Sequence, residues 1–498
     1  MMKSTKAVYC CKIRVGNLKM INMKRILLGI VVLCTLLSAA AQDTGKSAMP
    51  LKYGAQYSGK RTDDAMNKWR SNRFGQFIHW GLYAIPGGVW NGKTYNYAAE
   101  FLKSSANIPG PVWDSLMYRF NPVKFNAREW ARMAKNMGVK YMTITTKHHE
   151  GFCMWPSKYT DFNISHSPYK KDILKELVAA YNAEGIDVNF YYSVLDWHHP
   201  DWRYDIKTTA DSVAFARYLQ FAGNQLRELA TNYPTVKAFW FDGTWDNSVK
   251  KNGRWTYEME QMLKEVRPGV IVNSRLRADD YGKRHKDSNG QLMGDYESGY
   301  ERRLPHPVKD LAVTQWDWEA CMTIPENQWG YHQDWSISHV KTPVELLEML
   351  VNATSMGGNF LLNFGPAGDG TFRKQELDIA TTIGKWMARY GKAIYDCDYV
   401  GLEKQDWGYF TGKKNSNQLN MIVFNTPVSG LLKINTPKGM VLDKAVLMDG
   451  NGESLLLEEV SKNQYQLHLP LKLYDLPPVI TVDFHTGNGG NKYQDAKT

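Results

Sequence analysis

What most restricts this chain is a recurring order of elements. From about residue 53 to residue 390 it runs helix, glycine, apolar strand, then a loop rich in polar and aromatic residues. In the clearest unit Asn126 and Glu129 form a cap pair, Trp130, Met133, Ala134 and Met137 recur at helical spacing, and Gly138 stops the helix. A strand over 139–145 follows and opens into Lys147-His148-His149-Glu150-Gly151. The order returns with a helix begun at Asp172 and closed by Gly185, a strand over 186–193, and the loop Asp196-Trp197-His198-His199-Pro200. It returns again as a helix over 212–230 with a strand over 236–242, and as a helix over 258–266 with a strand over 270–273. A last unit starts at the capping box Thr342-Pro343-Val344-Glu345, stops at Gly357-Gly358 and gives a strand over 359–364.

Helices alternating with short apolar strands call for a parallel sheet covered by helices, and the number of units suits a (β/α)8-like barrel. A doubly wound open sheet is the alternative, but no glycine-rich turn after an early strand offers it a dinucleotide site. Beyond residue 390 the pattern changes to short strands and turns, at 419–425, 430–434, 445–448, 465–469 and 479–484, which predicts a C-terminal antiparallel β-sandwich. The expected division is therefore a barrel over 42–390, a sandwich over 391–486 and a disordered Gly/Asn-rich tail over 487–498.

Residues 1–41 are set apart. Met23-Lys24-Arg25, an apolar run over 26–37 and Ser38-Ala39-Ala40-Ala41 have the layout of a secretory signal peptide, preceded by a stretch that reads as an over-long start. That segment holds seven of the basic residues and no acidic ones, so the formal charge of +11 falls to +4 without it. No basic block with interleaved aromatics remains, so a nucleic-acid surface is not expected, nor is a membrane span after signal cleavage. Three cysteines remain, Cys153, Cys321 and Cys397, too few and too widely spaced for a disulfide framework or a zinc clip. A secreted, periplasmic location is the expectation.

In a barrel the residues just past each strand converge on one face. Here these are His79-Trp80, His148-His149, Tyr191-Tyr192, Asp242, Arg275 and a carboxylate-rich loop from Asp295 to Glu301. Asp242 ends an apolar run among Trp240, Phe241 and Trp245, where a carboxylate is costly unless paired. Asp-Gly after a strand is also ordinary turn chemistry, and Asp242 on its own fits a helix cap as well. Two carboxylates with His, Tyr, Arg and many Trp suit cleavage of a glycosidic bond, one carboxylate attacking or activating water and the other protonating the departing oxygen. Asp242 is the expected nucleophile; for the acid, Glu297, Glu301 and Glu319 compete, and spacing alone does not choose. A metal is not expected, because adjacent residues such as His148-His149 or His198-His199 on a strand face opposite ways and chelate one ion poorly.

These motifs are similar to those of the glycoside hydrolase family 29 α-L-fucosidases. The resemblance is carried by Arg73-Phe74-Gly75, His79-Trp80-Gly81, Thr146-Lys147-His148-His149-Glu150-Gly151-Phe152, Asp196-Trp197-His198, Trp240-Phe241-Asp242-Gly243, Trp329-Gly330-Tyr331 and the run from Gly358 through Asn363-Phe364-Gly365-Pro366. It implies a retaining, exo-acting enzyme without cofactor that acts on a fucosylated oligosaccharide or glycoconjugate. It also implies Asp242 as nucleophile and Glu301 as acid/base, with Glu297 in reserve. The resemblance further implies that His79, His148, His149, Tyr191 and Arg275 bind the sugar, that Trp245 and Trp329 line the pocket near its C6 methyl, and that Glu100-Phe101 stands where relatives often have Glu-Trp. The rival readings are a metal-dependent barrel hydrolase and a non-catalytic sugar-binding protein.

Overall fold

A computed structural model describes residues 61–277 and 294–486; the expected leader at 1–41 and tail at 487–498 lie outside the described residues. The helix signals act as local chemistry predicts. Asn126 accepts hydrogen bonds from the amides of Arg128 and Glu129, and Gly138 closes the helix in the left-handed conformation, φ 92°. Thr342 and Glu345 cap one another reciprocally, with Pro343 at the first helical position. Such caps are worth about 1 kcal/mol each.

Eight parallel strands form the first sheet: β1 (Phe74–Ile78), β2 (Tyr141–Lys147), β3 (Asp187–Ser193), β4 (Ala238–Asp242), β5 (Ile271–Val272), β6 (Glu297–Glu301), β7 (Trp318–Thr323) and β8 (Asn359–Phe364). They neighbour one another in the order β5-β4-β3-β2-β1-β8-β7-β6. A parallel bridge between Asn273 and Tyr296, just beyond β5 and just before β6, joins the two ends, so the sheet closes on itself. Among the described residues, seven helices of nine residues or more pack against it: α1 (Asp64–Asn72), α2 (Ala127–Met137), α3 (Ile173–Ala183), α4 (Thr209–Asn232), α5 (Gly253–Val266), α6 (Pro343–Ser355) and α7 (Lys374–Tyr390).

Strand alternation sorts the side chains into two cores. Outward-facing residues such as Phe190, Phe239, Phe241 and Leu362 join the helices in one large apolar cluster. Inward-facing Phe77, Tyr141, Tyr191, Trp240, Tyr296 and Leu361 fill the barrel. Phe241 therefore does not frame Asp242, as its sequence position suggests; the pleat turns it away, and Trp240 faces inward instead.

A six-stranded and a three-stranded antiparallel sheet follow, the first spanning Cys397–Asp398 to Val479–Thr486 and the second built on Leu431–Asn435, Leu457–Ser461 and Gln464–His468. Their inner faces share one core, with Phe410, Leu419 and Ile480 from one sheet meeting Leu432 and Leu467 from the other, which makes a β-sandwich. It is fixed to the barrel by polar contacts: the Tyr409 hydroxyl donates to Glu348 on α6 at 3.0 Å, and the Trp386 indole on α7 to the Pro477 carbonyl at 2.8 Å.

Candidate active site

At the C-terminal ends of the barrel strands lies a cavity of about 520 Å³. Its wall includes His79, Glu100, Phe101, His148, His149, Tyr191, Asp242, Trp245, Arg275, Glu301 and Trp329, so the residues that the resemblance assigns to the site converge, the reserve acid Glu297 excepted.

Asp242 closes β4, and the left-handed turn at Gly243, φ 75°, follows at once. A Cβ there would stand 2.6 Å from the Leu195 Cβ, so only glycine lets the chain turn this tightly. The carboxylate is held from two sides. Arg275 Nη1 donates to Oδ1 at 3.0 Å, and the Tyr191 hydroxyl donates to Oδ2 at 2.9 Å. The other edge of the same guanidinium donates to Glu301 Oε2 at 2.9 Å, and its Nε donates to the Ser298 carbonyl at 3.1 Å. Arg275 is buried, which by itself would lower its pKa; the facing Glu301 and Asp242 carboxylates reverse the sign and raise it. One cation thus holds two carboxylates together on the cavity wall, and the Trp240 ring lies 4.8 Å from its centre.

The carboxylate-rich segment predicted as a loop is strand β6. Its sequence, Glu-Ser-Gly-Tyr-Glu, has little intrinsic strand preference, and pairing with β7 imposes the conformation. In a regular strand Glu297 and Glu301, four apart, would share a face. The register slips between Glu297 and Tyr300, where one extra residue enters β6, so Glu297 sits opposite outward-facing Trp318 while Glu301 sits opposite Cys321, which belongs to the barrel interior. Glu297 is buried on the outer side and accepts a hydrogen bond from the Trp316 indole. Glu319, the third acid considered, lies inside the barrel and is absent from the cavity wall. It accepts from the Tyr141 hydroxyl at 2.7 Å and the Trp240 indole at 3.0 Å, and burial pushes its pKa up to about 7. Asp295 is likewise removed from the site, paired with Arg61 at 2.9 Å and Lys264 at 2.7 Å.

The expectation that His148 and His149 face opposite sides is corrected. Strand β2 ends at Lys147 with a register slip just before it, so alternation lapses, and both rings line the cavity with centroids 4.2 Å apart. The second pair does diverge from the cavity: His198 Nδ1 is 2.9 Å from Asp114, and His199 packs on Phe221. Asp196, of the same loop, is buried in an ion pair with Lys147 at 2.9 Å, which pins the loop to β2.

Two residues overlooked in the sequence set how the imidazoles present themselves. The Ser193 hydroxyl donates to the Leu195 carbonyl at 2.6 Å, so its oxygen is left to accept from His149 Nδ1–H at 2.7 Å. The Asn363 amide donates to the Trp329 carbonyl at 2.7 Å, so its Oδ1 accepts from His79 Nδ1–H at 2.7 Å. Both rings therefore turn an unprotonated Nε2 to the cavity. Burial holds them neutral, lowering His79 to about 3 and His149 to about 4. Ser193 and Asn363 were readable only as polar residues ending otherwise apolar strands. Substituting Ser193 by Ala is expected to lower kcat/KM about tenfold, with partial rescue by Ser193→Thr. Nitrogen-15 shifts of His149 in the parent should report a protonated Nδ1 unchanged between pH 5 and 8; a ring that titrates in that window would contradict the assignment.

Glu100 Oε2 accepts from the Gly330 amide at 2.9 Å, whereas its buried Oε1 has no hydrogen-bond partner among the described residues, and burial raises its pKa to about 7. Phe101 packs its edge on His149 at 5.4 Å and Trp197 at 5.5 Å. Trp245 meets His149 at 5.4 Å, and Trp329 meets His79 at 5.1 Å, so apolar ring surface flanks a polar floor.

Residues 40–392 match the family model described as alpha-L-fucosidase. Over 425 residues the chain is 30% identical to the plasma alpha-L-fucosidase of Pongo abelii, covering 81% of this chain and 86% of that one. A GH29 alpha-L-fucosidase of Bacteroides thetaiotaomicron has a similar structure, with a TM-score of 0.84, 63% identity, and coverage of 89% of this chain and 99% of that one. A further structure of a GH29 alpha-L-fucosidase from that organism, 64% identical at TM-score 0.84 over 88% of this chain and all (100%) of that one, holds a trapped covalent intermediate in complex with 2-fluoro-fucosyl fluoride.

Proposed function

The chain belongs to the α-L-fucosidase family, and from that premise we propose that it is a retaining, exo-acting α-L-fucosidase in which Asp242 is the nucleophile and Glu301 the acid/base. The observation that carries this reading is the shared guanidinium of Arg275, which sets Asp242 and Glu301 side by side on one cavity wall. Retaining glycosidases need such closely set carboxylates, about 5–5.5 Å apart, where inverting ones leave room for a water between them. Asp242 attacks the anomeric carbon as the glycosidic C–O bond breaks, and Glu301 gives its proton to the departing oxygen. Glu301, now a carboxylate, takes a proton from water, which attacks the fucosyl ester and releases Asp242. Two inversions leave the configuration unchanged.

The rest of the pocket fits one terminal 6-deoxy sugar. Three hydroxyls need polar partners, and His79 and His149 present Nε2 acceptors, with His148, Tyr191 and the unpaired Glu100 Oε1 beside them. The methyl group needs an apolar wall, which Trp245 and Trp329 supply; Phe101 keeps a ring face there but has no indole N–H to donate. A 6-hydroxyl would face those rings without a partner. An aryl α-L-fucoside is therefore expected to be hydrolysed with retention, followed by NMR of the first-formed sugar. The corresponding L-galactoside should have kcat/KM lower by roughly 10- to 200-fold. Equal rates on the two sugars would remove the role given to the tryptophans, and an inverted product would remove the mechanism.

A further inference from the structure

One charged residue on the cavity wall has no part in the chemistry just described. Arg302 directly follows Glu301, and in a continuing strand the two side chains would point opposite ways. Arg302 instead takes a left-handed backbone, φ 65°, and both residues line the same cavity. That conformation suits Gly or Asn better than Arg, and residues held in it recur at functional sites. Arg275 is engaged by Asp242 and Glu301, whereas Glu100 accepts only from the Gly330 amide and feels the charge of Arg302 at longer range. Arg302 is exposed and, among the described residues, has no hydrogen-bond or ion-pair partner; Arg303 beside it is also exposed.

Position decides what Arg302 could meet. Glu301 must stand beside the departing oxygen, so the wall next to it, on the solvent side, borders the group that leaves with that oxygen. The same rim carries Tyr97, 50% exposed, whose ring meets Phe101 at 5.7 Å and suits the face of a second sugar. Resting on the fucosidase reading, we propose that Arg302, with Arg303 adding to the local field, binds an anionic leaving group, so that the favoured substrates carry fucose on a carboxylated or sulfated sugar. A planar guanidinium matches both anions through paired N–H donors.

The test measures kcat/KM on three fucosides of one linkage, differing only in whether the second sugar is neutral, carboxylated or sulfated. The parent is expected to favour at least one acidic substrate about tenfold. That ratio should shrink as salt is raised, and should fall to about one in Arg302→Gln. Preference for only one of the anions identifies the substituent. Arg302→Gly removes the cation and relaxes the backbone, so it should lose the preference while melting no lower than the parent, which separates lost binding from lost folding. Equal kcat/KM on acidic and neutral substrates by the parent, or a preference that survives in both variants, overturns the proposal and leaves the fucosidase reading standing. A parent inactive on all three and on an aryl fucoside overturns both.

Discussion

Asp242→Gly is expected to cut turnover of an aryl α-L-fucoside by at least about 10³-fold, because the variant has no group to form the covalent intermediate. The loss should come without unfolding. Asp242 is the last residue of β4, its side chain accepts from the cavity-side donors Tyr191 and Arg275 with His149 Nε2 3.8 Å away, and Arg275 keeps Glu301 and the Ser298 carbonyl when the carboxylate goes. The space vacated beside the anomeric carbon admits a small anion. Azide should then restore part of the turnover and give the β-fucosyl azide, since it attacks from the face Asp242 occupied. Near-parent turnover without azide, or an α-azide as the product, would remove Asp242 from the role.

Much of this site was legible because the barrel rule is geometric: residues past a strand's end meet whatever the distance between them in sequence. His79, Tyr191, Asp242 and Arg275 follow apolar runs whose length and flanking glycines mark them as buried strands, and all four line the cavity. What escaped was set by irregular pairing. The extra residue in β6 decides which of two glutamates enters the cavity, and the slip before Lys147 puts two adjacent histidines on one wall. Neither leaves a mark in hydrophobic periodicity, because a bulge inserts a residue without changing composition. Strand β6 itself was unreadable, as Glu-Ser-Gly-Tyr-Glu has the character of a loop until β7 pairs with it. Ser193 and Asn363 escaped for another reason: their effect is exerted through a histidine ring, and a tautomer is visible only when the hydrogen bonds of both partners are known.

The bulge makes the choice of acid a sharp prediction. Glu301→Ala should lower kcat/KM by about 10²–10⁴-fold on a fucoside with a poor leaving group, such as another sugar. It should spare much more of the activity on a dinitrophenyl fucoside, whose leaving group needs no proton. Because Glu301 also accepts from Arg275, the alanine variant alone would mix lost proton transfer with a shifted guanidinium. Glu301→Gln keeps an oxygen for Arg275 and should show the same dependence on the leaving group, which isolates the proton. Added azide should now yield the α-azide, since it attacks the fucosyl ester on Asp242 from the opposite face, in contrast to the β-azide of the Asp242 variant. Glu297→Ala should behave otherwise. Its carboxylate faces the outer core and accepts from the Trp316 indole, so the variant should lose about 1 kcal/mol of stability with that hydrogen bond while retaining the parent's ratio between good and poor leaving groups. A Glu297 variant that discriminates between leaving groups, beside a Glu301 variant that does not, would move the proton donor to Glu297 and require the β6 register to differ from the one described.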